Sequence, residues 1–468
     1  MNLPRAPSVF GSLGAGRRGQ SPRAEEGCGV RGEVPLPPVF LGALLLLWPA
    51  LLNGYPLVFS DTGGFLHQTL GPLMLWDKPW VYGPLLHLFH WRLTLWLPVL
   101  AQALMVSHLL WVAQRVLRGH ATAGGHLLAM GVAGALTTAP FTVALLMPDV
   151  FAPVVVLALA LLGFAADRLG RGERWWCGGI AAAGIAVHLA HLPLALAMLG
   201  VLLVAGLWRG ALRAGAVLGV AVAVLLATNL VGHGRAALSP HGATFMLARL
   251  QADGPAAAVI RARCPEAGWY LCAFADRLPM DANDFLWAPD SPVNRDAAGR
   301  ARVLGGALIS AEAAEIVAAT IRADPLGVAR AIAANSLAQL VTVGIGDTLG
   351  NEHLATALRP RIAEGFPVRE VAAFDAALQP RGELRATLGW AGLLPGPMLL
   401  AGVLALAVAA WRADGMARWV LLAVAAGVVA NAVATGGLSG VFPRYQARIA
   451  WLLPVLAVIA LLPRRQGT

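Results

Sequence analysis

Apolar residues occur along this chain in runs long enough to cross a bilayer, with short polar stretches between them. A transmembrane helix needs about 20 consecutive apolar residues. Ten runs fit, roughly 35–52, 92–113, 122–146, 150–166, 177–190, 193–208, 214–231, 387–411, 417–435 and 446–462. Backbone that meets lipid must be helical, so the pattern predicts an all-α polytopic membrane protein. The fifth and sixth runs are short. One long tilted helix over both is the alternative, and it would reverse every later span.

Two stretches fall outside this pattern. Residues 1–34 are rich in Gly, Pro, Ser and Arg without apolar periodicity, and read as a disordered cytoplasmic tail, with a partly over-called start as the alternative. They do not read as a signal peptide, because the first apolar run starts near Pro35 and no small-residue cleavage site follows it. Residues 232–386 have Gly/Pro punctuation and near-balanced charge, and form a soluble segment inserted before the last three spans. Within it, 305–323 reads as a helix ended by Asp324–Pro325. Residues 326–345 read as an amphipathic helix, with an eleventh span as the alternative. The expected organisation is a tail at 1–34, an N-terminal transmembrane module at 35–231, the insert at 232–386 and C-terminal transmembrane helices at 387–463.

Composition supports the class. The apolar fraction is 58%, the charged fraction 13% and mean hydropathy +0.67, too little charge to cover a soluble chain of this length. A net charge of +10 would suit a nucleic-acid binder, but the arginines lie in short loops. They cluster at Arg17, Arg18, Arg23 and Arg31, then at Arg115 and Arg118, and at Arg168, Arg171 and Arg174. Further clusters are Arg209 with Arg213, Arg412 with Arg418, and Arg464 with Arg465. With ten spans every cluster faces one side, the cytoplasm, and so do both termini. With nine, the clusters after residue 208 would face the wrong way. The expected location is a bacterial inner (plasma) membrane, with the lipid bilayer as partner and no nucleic acid; oligomeric state is left open.

Three segments then face outward: 53–91, the turn Met147–Asp149, and the insert. Cys264 and Cys272, in RCPEAGWYLC, are expected to form a small-loop disulfide in that oxidising compartment, with two free thiols as the alternative.

The candidate chemistry lies on the same face. Asp61 and Asp149 each sit at a bilayer edge, where an acid is costly and is kept for a substrate, a proton or a metal. The plain alternative for each is a helix cap. As a pair, one would act as base and the other as metal ligand or positioning group. Thr62–Gly63–Gly64 reads as a turn that lets backbone approach a ligand. Asp77, Lys78 and Tyr82, in WDKPWVYGP, are candidate substrate-binding residues in the same loop. His188 and His191 share a helical face and are candidate ligands for a divalent metal ion; two locally hydrogen-bonded histidines are the alternative. The pieces around His233 and His241 read as loop. Arg444 and Arg448, four apart in FPRYQARIAW, break the charge bias of the other short loops. A guanidinium fork suits phosphate, so these two and Tyr445 form a candidate phosphate site. The alternative is headgroup anchoring, with Tyr445 and Trp451 as interfacial aromatics.

An acid after the first span at Asp61, then Asp77–Lys78–Pro79 leading to Tyr82–Gly83–Pro84, then a second outer acid at Asp149, resembles the GT-C superfamily of membrane glycosyltransferases. The resemblance covers about the first 170 residues. It implies a polyprenyl-phosphate-linked sugar as donor and transfer on the outer face. It implies Asp61 as general base on an acceptor hydroxyl, Asp77, Lys78 and Tyr82 on the donor side, and Asp149 positioning the acceptor or holding a metal. Transfer would be a single displacement with inversion, since no second carboxylate nucleophile is evident. The chain departs from the family in carrying a single Asp at position 61 where an acidic pair is common, and in having its soluble part inserted rather than C-terminal. The cofactor is unknown, a divalent metal ion being the candidate. The whole chain also resembles bacterial polytopic membrane proteins with the Cys264–Pro265, Leu271–Cys272 and Phe285–Leu286–Trp287 segments. Two rival readings stand. One is a transporter or flippase for a lipid-linked or anionic solute, which predicts ionisable residues at mid-membrane depth and internal repeats. The other is a non-catalytic envelope assembly protein using 232–386 as a binding domain.

Overall fold

Helices account for the regular structure of the computed structural model, which describes residues 36–71 and 73–463. The expected tail at 1–34, with its arginines, and the Arg464–Arg465 cluster lie outside the described residues. Among the described residues, β geometry is confined to two isolated bridges, Leu57 with Leu145 and Arg295 with Ala301. Five helices are long and apolar enough to cross a membrane: Trp96–Arg118, Trp208–His233, Leu384–Arg412, Gly415–Gly437 and Pro443–Leu461. Leu36–Leu46, Ala123–Leu136, Pro148–Phe164 and His191–Val204 are shorter apolar helices. Large apolar side chains stay exposed on them, Leu196, Val204, Val220, Val231, Leu400 and Leu404 among others. A surface of that kind marks contact with lipid, and the protein is a multi-pass membrane protein.

Two of the expected runs are interrupted. The run at 35–52 breaks at Leu47 and restarts as Trp48–Asn53, with Pro49 in its first turn. The run at 122–146 ends at Leu136 and restarts as the short helix Ala139–Val143, with Pro140 in its first turn. Proline has no N–H to continue a helix but is tolerated where one starts. Arg171–Ala186 and His191–Val204 are two separate helices joined by the turn at 187–190, which excludes one long tilted helix over both.

The basic loops gather at one end of the bundle. The last carbonyls of a helix have no intrahelical partner, and arginines supply donors. Arg168 donates to Val116 O at 2.9 Å, Arg118 to Pro463 O at 2.7 Å and Arg213 to Leu162 O at 2.9 Å. Arg115 pairs with Glu173 and donates to Arg168 O at 3.0 Å. Arg418 covers the carbonyls of Ala410 and Ala413, and the neighbouring Trp419 stacks on Phe164 at 6.0 Å.

The insert has two parts with different attachments. Leu247, Ile260, Leu271, Phe274, Phe285 and Ile316 belong to a small core of its own, against which Trp76 of the first loop packs. Cys264 and Cys272 are bonded there, their Cα atoms 5.3 Å apart. Ile345, Leu349, Leu358, Phe374 and Leu384 instead share the main core with Leu46, Tyr55 and Phe65. Between the two parts, the helix Ser310–Ala323 ends at Asp324, which caps the next helix, Pro325–Val341, by accepting from Gly327 N at 2.8 Å. That second helix packs on the end of the Gly415–Gly437 span. A Cβ at Gly436 would lie 2.5 Å from Asn335 O, so the approach requires glycine.

Two buried polar side chains lock the second part onto the first loop. Gln379 accepts from Val58 N and donates to Val58 O, Thr348 O and Gly350 O. Glu370 accepts from the Tyr55 hydroxyl at 2.9 Å and from Leu95 N at 2.8 Å. The insert is thus partly an appendage and partly a piece of the bundle's core.

Candidate functional site

A short parallel contact joins the two segments that carry the predicted acids. Leu57 N donates to Ala144 O at 3.0 Å and Leu146 N to Leu57 O at 2.9 Å. The Thr62 hydroxyl adds a bond to Leu146 O at 3.0 Å. The first loop, with Asp61, is therefore tied to the strand-like 144–147 stretch that delivers Asp149.

Asp149 begins the helical segment Pro148–Phe164 and is 3% exposed. It does not cap that helix. Its carboxylate faces two guanidiniums, Arg448 Nη1 at 3.4 Å and Arg444 Nη1 at 3.9 Å. Both arginines come from the helix Pro443–Ala450, where the four-residue spacing stacks them on one face. Arg448 also donates to Asn431 Oδ1 at 3.0 Å, and Asn431 donates to Tyr445 O at 2.7 Å. Aromatic faces complete the setting, which suits a cation: Phe59 lies 4.1 Å from the Arg444 guanidinium, and Tyr445 lies 5.2 Å from that of Arg448.

Arg444 also meets a carboxylate from the insert, Asp347, 3.5 Å from its Nε. The contact is not a hydrogen bond. Arg444 Nε and Nη1 and Asp347 Oδ1 are all buried without a hydrogen-bond partner. Burial lifts the Asp347 carboxyl above its ordinary value; Arg444 pulls it back, and Asp149 lifts it further.

Asp61 belongs to an adjoining cluster. It lies 3.2 Å from Lys78 Nζ, and Lys78 also pairs with Asp77. Lys78 is the chain's single lysine, held about equally far from the rings of Phe65 and Trp287. Burial alone would lower its pKa, but Asp61 and then Asp77 outweigh that and hold the ammonium above the ordinary lysine value.

Several sequence expectations need correction. The helix Ser60–Leu70 is closed at its start by Thr62, which accepts from Phe59 N at 3.0 Å, and not by Asp61. Thr62–Gly63–Gly64 is part of that helix, not a ligand-facing turn. A Cβ at Gly63 would lie 2.1 Å from Ala357 O, so the small residue admits the insert's backbone. Tyr82 is buried, and its hydroxyl donates to Gln102 Oε1 at 2.7 Å. Gln102 in turn holds the carbonyls of Val143 and Leu145. Tyr82 therefore supports the 144–147 stretch and presents no free hydroxyl to a substrate. His188 and His191 do lie together, their rings 5.2 Å apart, on the Asp149 side. Each has its Nδ1 engaged by backbone, His188 with Ala190 N and His191 with Gly184 O. Among the described residues no group of three His, Cys, Asp or Glu side chains is arranged to hold a metal ion, so the pair lacks a third protein ligand.

Sequence reasoning missed Asp347 and Asn431. Asn431 had a signal, an amide inside an apolar span. Asp347 had only its setting between glycines in GIGDTLG. A separate open groove of about 470 Å³, lined by Arg263, Trp269, Glu315 and Arg322 among others, lies on the insert. In comparisons with protein-family models, curated proteins and solved structures, nothing matches this chain.

Proposed function

We propose that the protein is a membrane glycosyltransferase that takes a sugar from a polyprenyl-phosphate donor and transfers it to an acceptor on the outer face of the inner membrane. One observation carries the reading: a buried arginine, Arg444, has two N–H groups that stand in long ion pairs with Asp149 and Asp347 but make no hydrogen bond, beside a second buried arginine. An unpartnered buried donor costs about 1–3 kcal/mol, and a phosphate oxygen would relieve it. Arg444 and Arg448 would hold the donor phosphate with their planar forks. Asp149, committed to both guanidiniums, would orient them rather than accept a proton. Lys78 would add positive charge near Asp61 and Asp77. Ten crossings fit this arrangement, with the arginine-rich end cytoplasmic and the acid-bearing end outside. The GT-C resemblance of the first 170 residues supports the donor class.

The test is turnover and binding of polyprenyl-phosphate sugars by Arg444→Lys and Arg448→Lys variants in nanodiscs. Losing a charged hydrogen bond costs about 1.5–3 kcal/mol, so each variant should weaken donor binding roughly tenfold or more. Wild-type binding by both lysine variants would remove the phosphate assignment. A transporter remains the second reading, on the ground that Asp149 and Arg448 form an ionisable pair buried among the apolar helices. Solute uptake by proteoliposomes without any change in the solute would favour it.

A further inference from the structure

Two carboxylates, Asp149 and Asp347, contact the arginine pair, a third, Asp61, belongs to the lysine cluster, and the three are not equivalent. Asp149 faces two guanidiniums. Asp61 faces the Lys78 ammonium at 3.2 Å. Asp347 makes one loose contact, and its Oδ1 is the buried carboxylate oxygen without a hydrogen-bond partner among the described residues. It also differs in origin. Asp149 lies at the start of an apolar helix, whereas Asp347 sits on the short turn Gly346–Leu349 of the insert, with its side chain 32% exposed. Arg444 has two N–H groups without a hydrogen bond, and Asp347 a carboxylate oxygen without one, on side chains 3.5 Å apart at their ion-pair contact. A ligand that fills both offers an acceptor to Arg444 and a donor to Asp347. A lipid phosphate lying against an acceptor hydroxyl has that pattern.

We infer that Asp347 is the catalytic base of the transfer, taking the proton from the acceptor hydroxyl as it attacks the donor sugar. The inference rests on the glycosyltransferase reading and reassigns the proton transfer from Asp61. The acceptor oxygen forms a bond to C1 of the sugar while its proton moves to Asp347 Oδ1. The bond from C1 to the phosphate oxygen breaks, and its electron pair leaves with the polyprenyl phosphate. The charge gained by that phosphate is met by Arg444 and Arg448. Asp347 then returns its proton to water through its exposed edge. Burial, which lifts this carboxyl, makes it a better proton acceptor than an ordinary aspartate.

The test uses the full chain in nanodiscs, with farnesyl phosphate as the binding probe and a panel of polyprenyl-phosphate hexoses and pentoses as donors. Turnover is read as release of polyprenyl phosphate. Loss of a general base lowers rates by about 10²–10⁴-fold. Asp347→Asn should therefore lose at least about a hundredfold in turnover, while farnesyl phosphate binds as tightly as before or more tightly. Asp347→Glu should recover part of the rate. Wild-type turnover by Asp347→Asn, with loss confined to Asp61→Asn, overturns the inference and leaves the glycosyltransferase reading standing. Loss of farnesyl phosphate binding together with turnover also overturns it, because Asp347 would then hold the site together. If the wild-type protein neither binds farnesyl phosphate nor consumes any donor, the underlying reading fails and this inference with it.

Discussion

Arg444, Arg448 and Asp149 were legible as sequence because each departs from the expected topology: cations away from the basic loops, and an acid at the edge of an apolar run. Their pairing was not legible, since 295 or more positions separate Asp149 from its partners. The histidines carry a different residue-scale lesson. His90 is buried in the first loop, its ring 4.8 Å from that of His87 and 5.0 Å from that of Phe366. It accepts from Arg92 N through Nδ1, and its Nε2 has no partner. Burial, then His87 and Arg92, lower its pKa to about 4. A histidine whose folded pKa lies below its unfolded value of about 6.5 stabilises the fold fully above that value. The contribution is lost as pH falls from about 6.5 toward 4. The thermal midpoint in detergent should therefore be lower at pH 5 than at pH 7. In His90→Asn, which keeps an acceptor for Arg92 N but does not titrate, that difference should shrink. An unchanged difference would assign the pH response to other groups.

At the scale of elements, apolar periodicity located the helices but not their interruptions. Pro140 was visible, yet periodicity alone does not say whether a proline kinks a span or restarts it. The consequence is functional, because the restart frees the 144–147 stretch to pair with Leu57 and place Asp149. The same limit hid the role of Gly63, whose missing side chain leaves room for the backbone at Ala357. It also hid Gln379, which reads in sequence as one more loop glutamine. Gln379→Leu would leave Val58 N–H and the carbonyls of Thr348 and Gly350 short of partners. At about 1–3 kcal/mol for a stranded buried group, the variant should melt well below wild type. Gly63→Ala should also destabilise, by about 1–3 kcal/mol for overpacking, through the same interface. Wild-type melting of both variants would show that the insert's second part is not held where the structure has it.

For the molecule as a whole, the one-sided arginines were the most informative feature of the sequence, and the structure gathers those it describes at one end as helix-closing donors. Reporter fusions at 172 and 300 should accordingly report opposite sides of the membrane; the same side from both would refute the ten-span topology. What the sequence concealed was the division of the insert, because a loop that folds on itself and one that enters another core have similar composition. The Gln379 clamp gives that division a consequence in time. Val58 and Gln379 are 321 positions apart, and at about 5–20 residues per second the ribosome needs roughly 16–64 s to reach the second from the first. During that interval the first loop exists with its buried polar groups unmatched, and Asp347 and both arginines have not all been made. The nascent N-terminal half must therefore wait, open at its first loop, for the C-terminal half to close it, and a chain cut between them should be cleared by quality-control proteases.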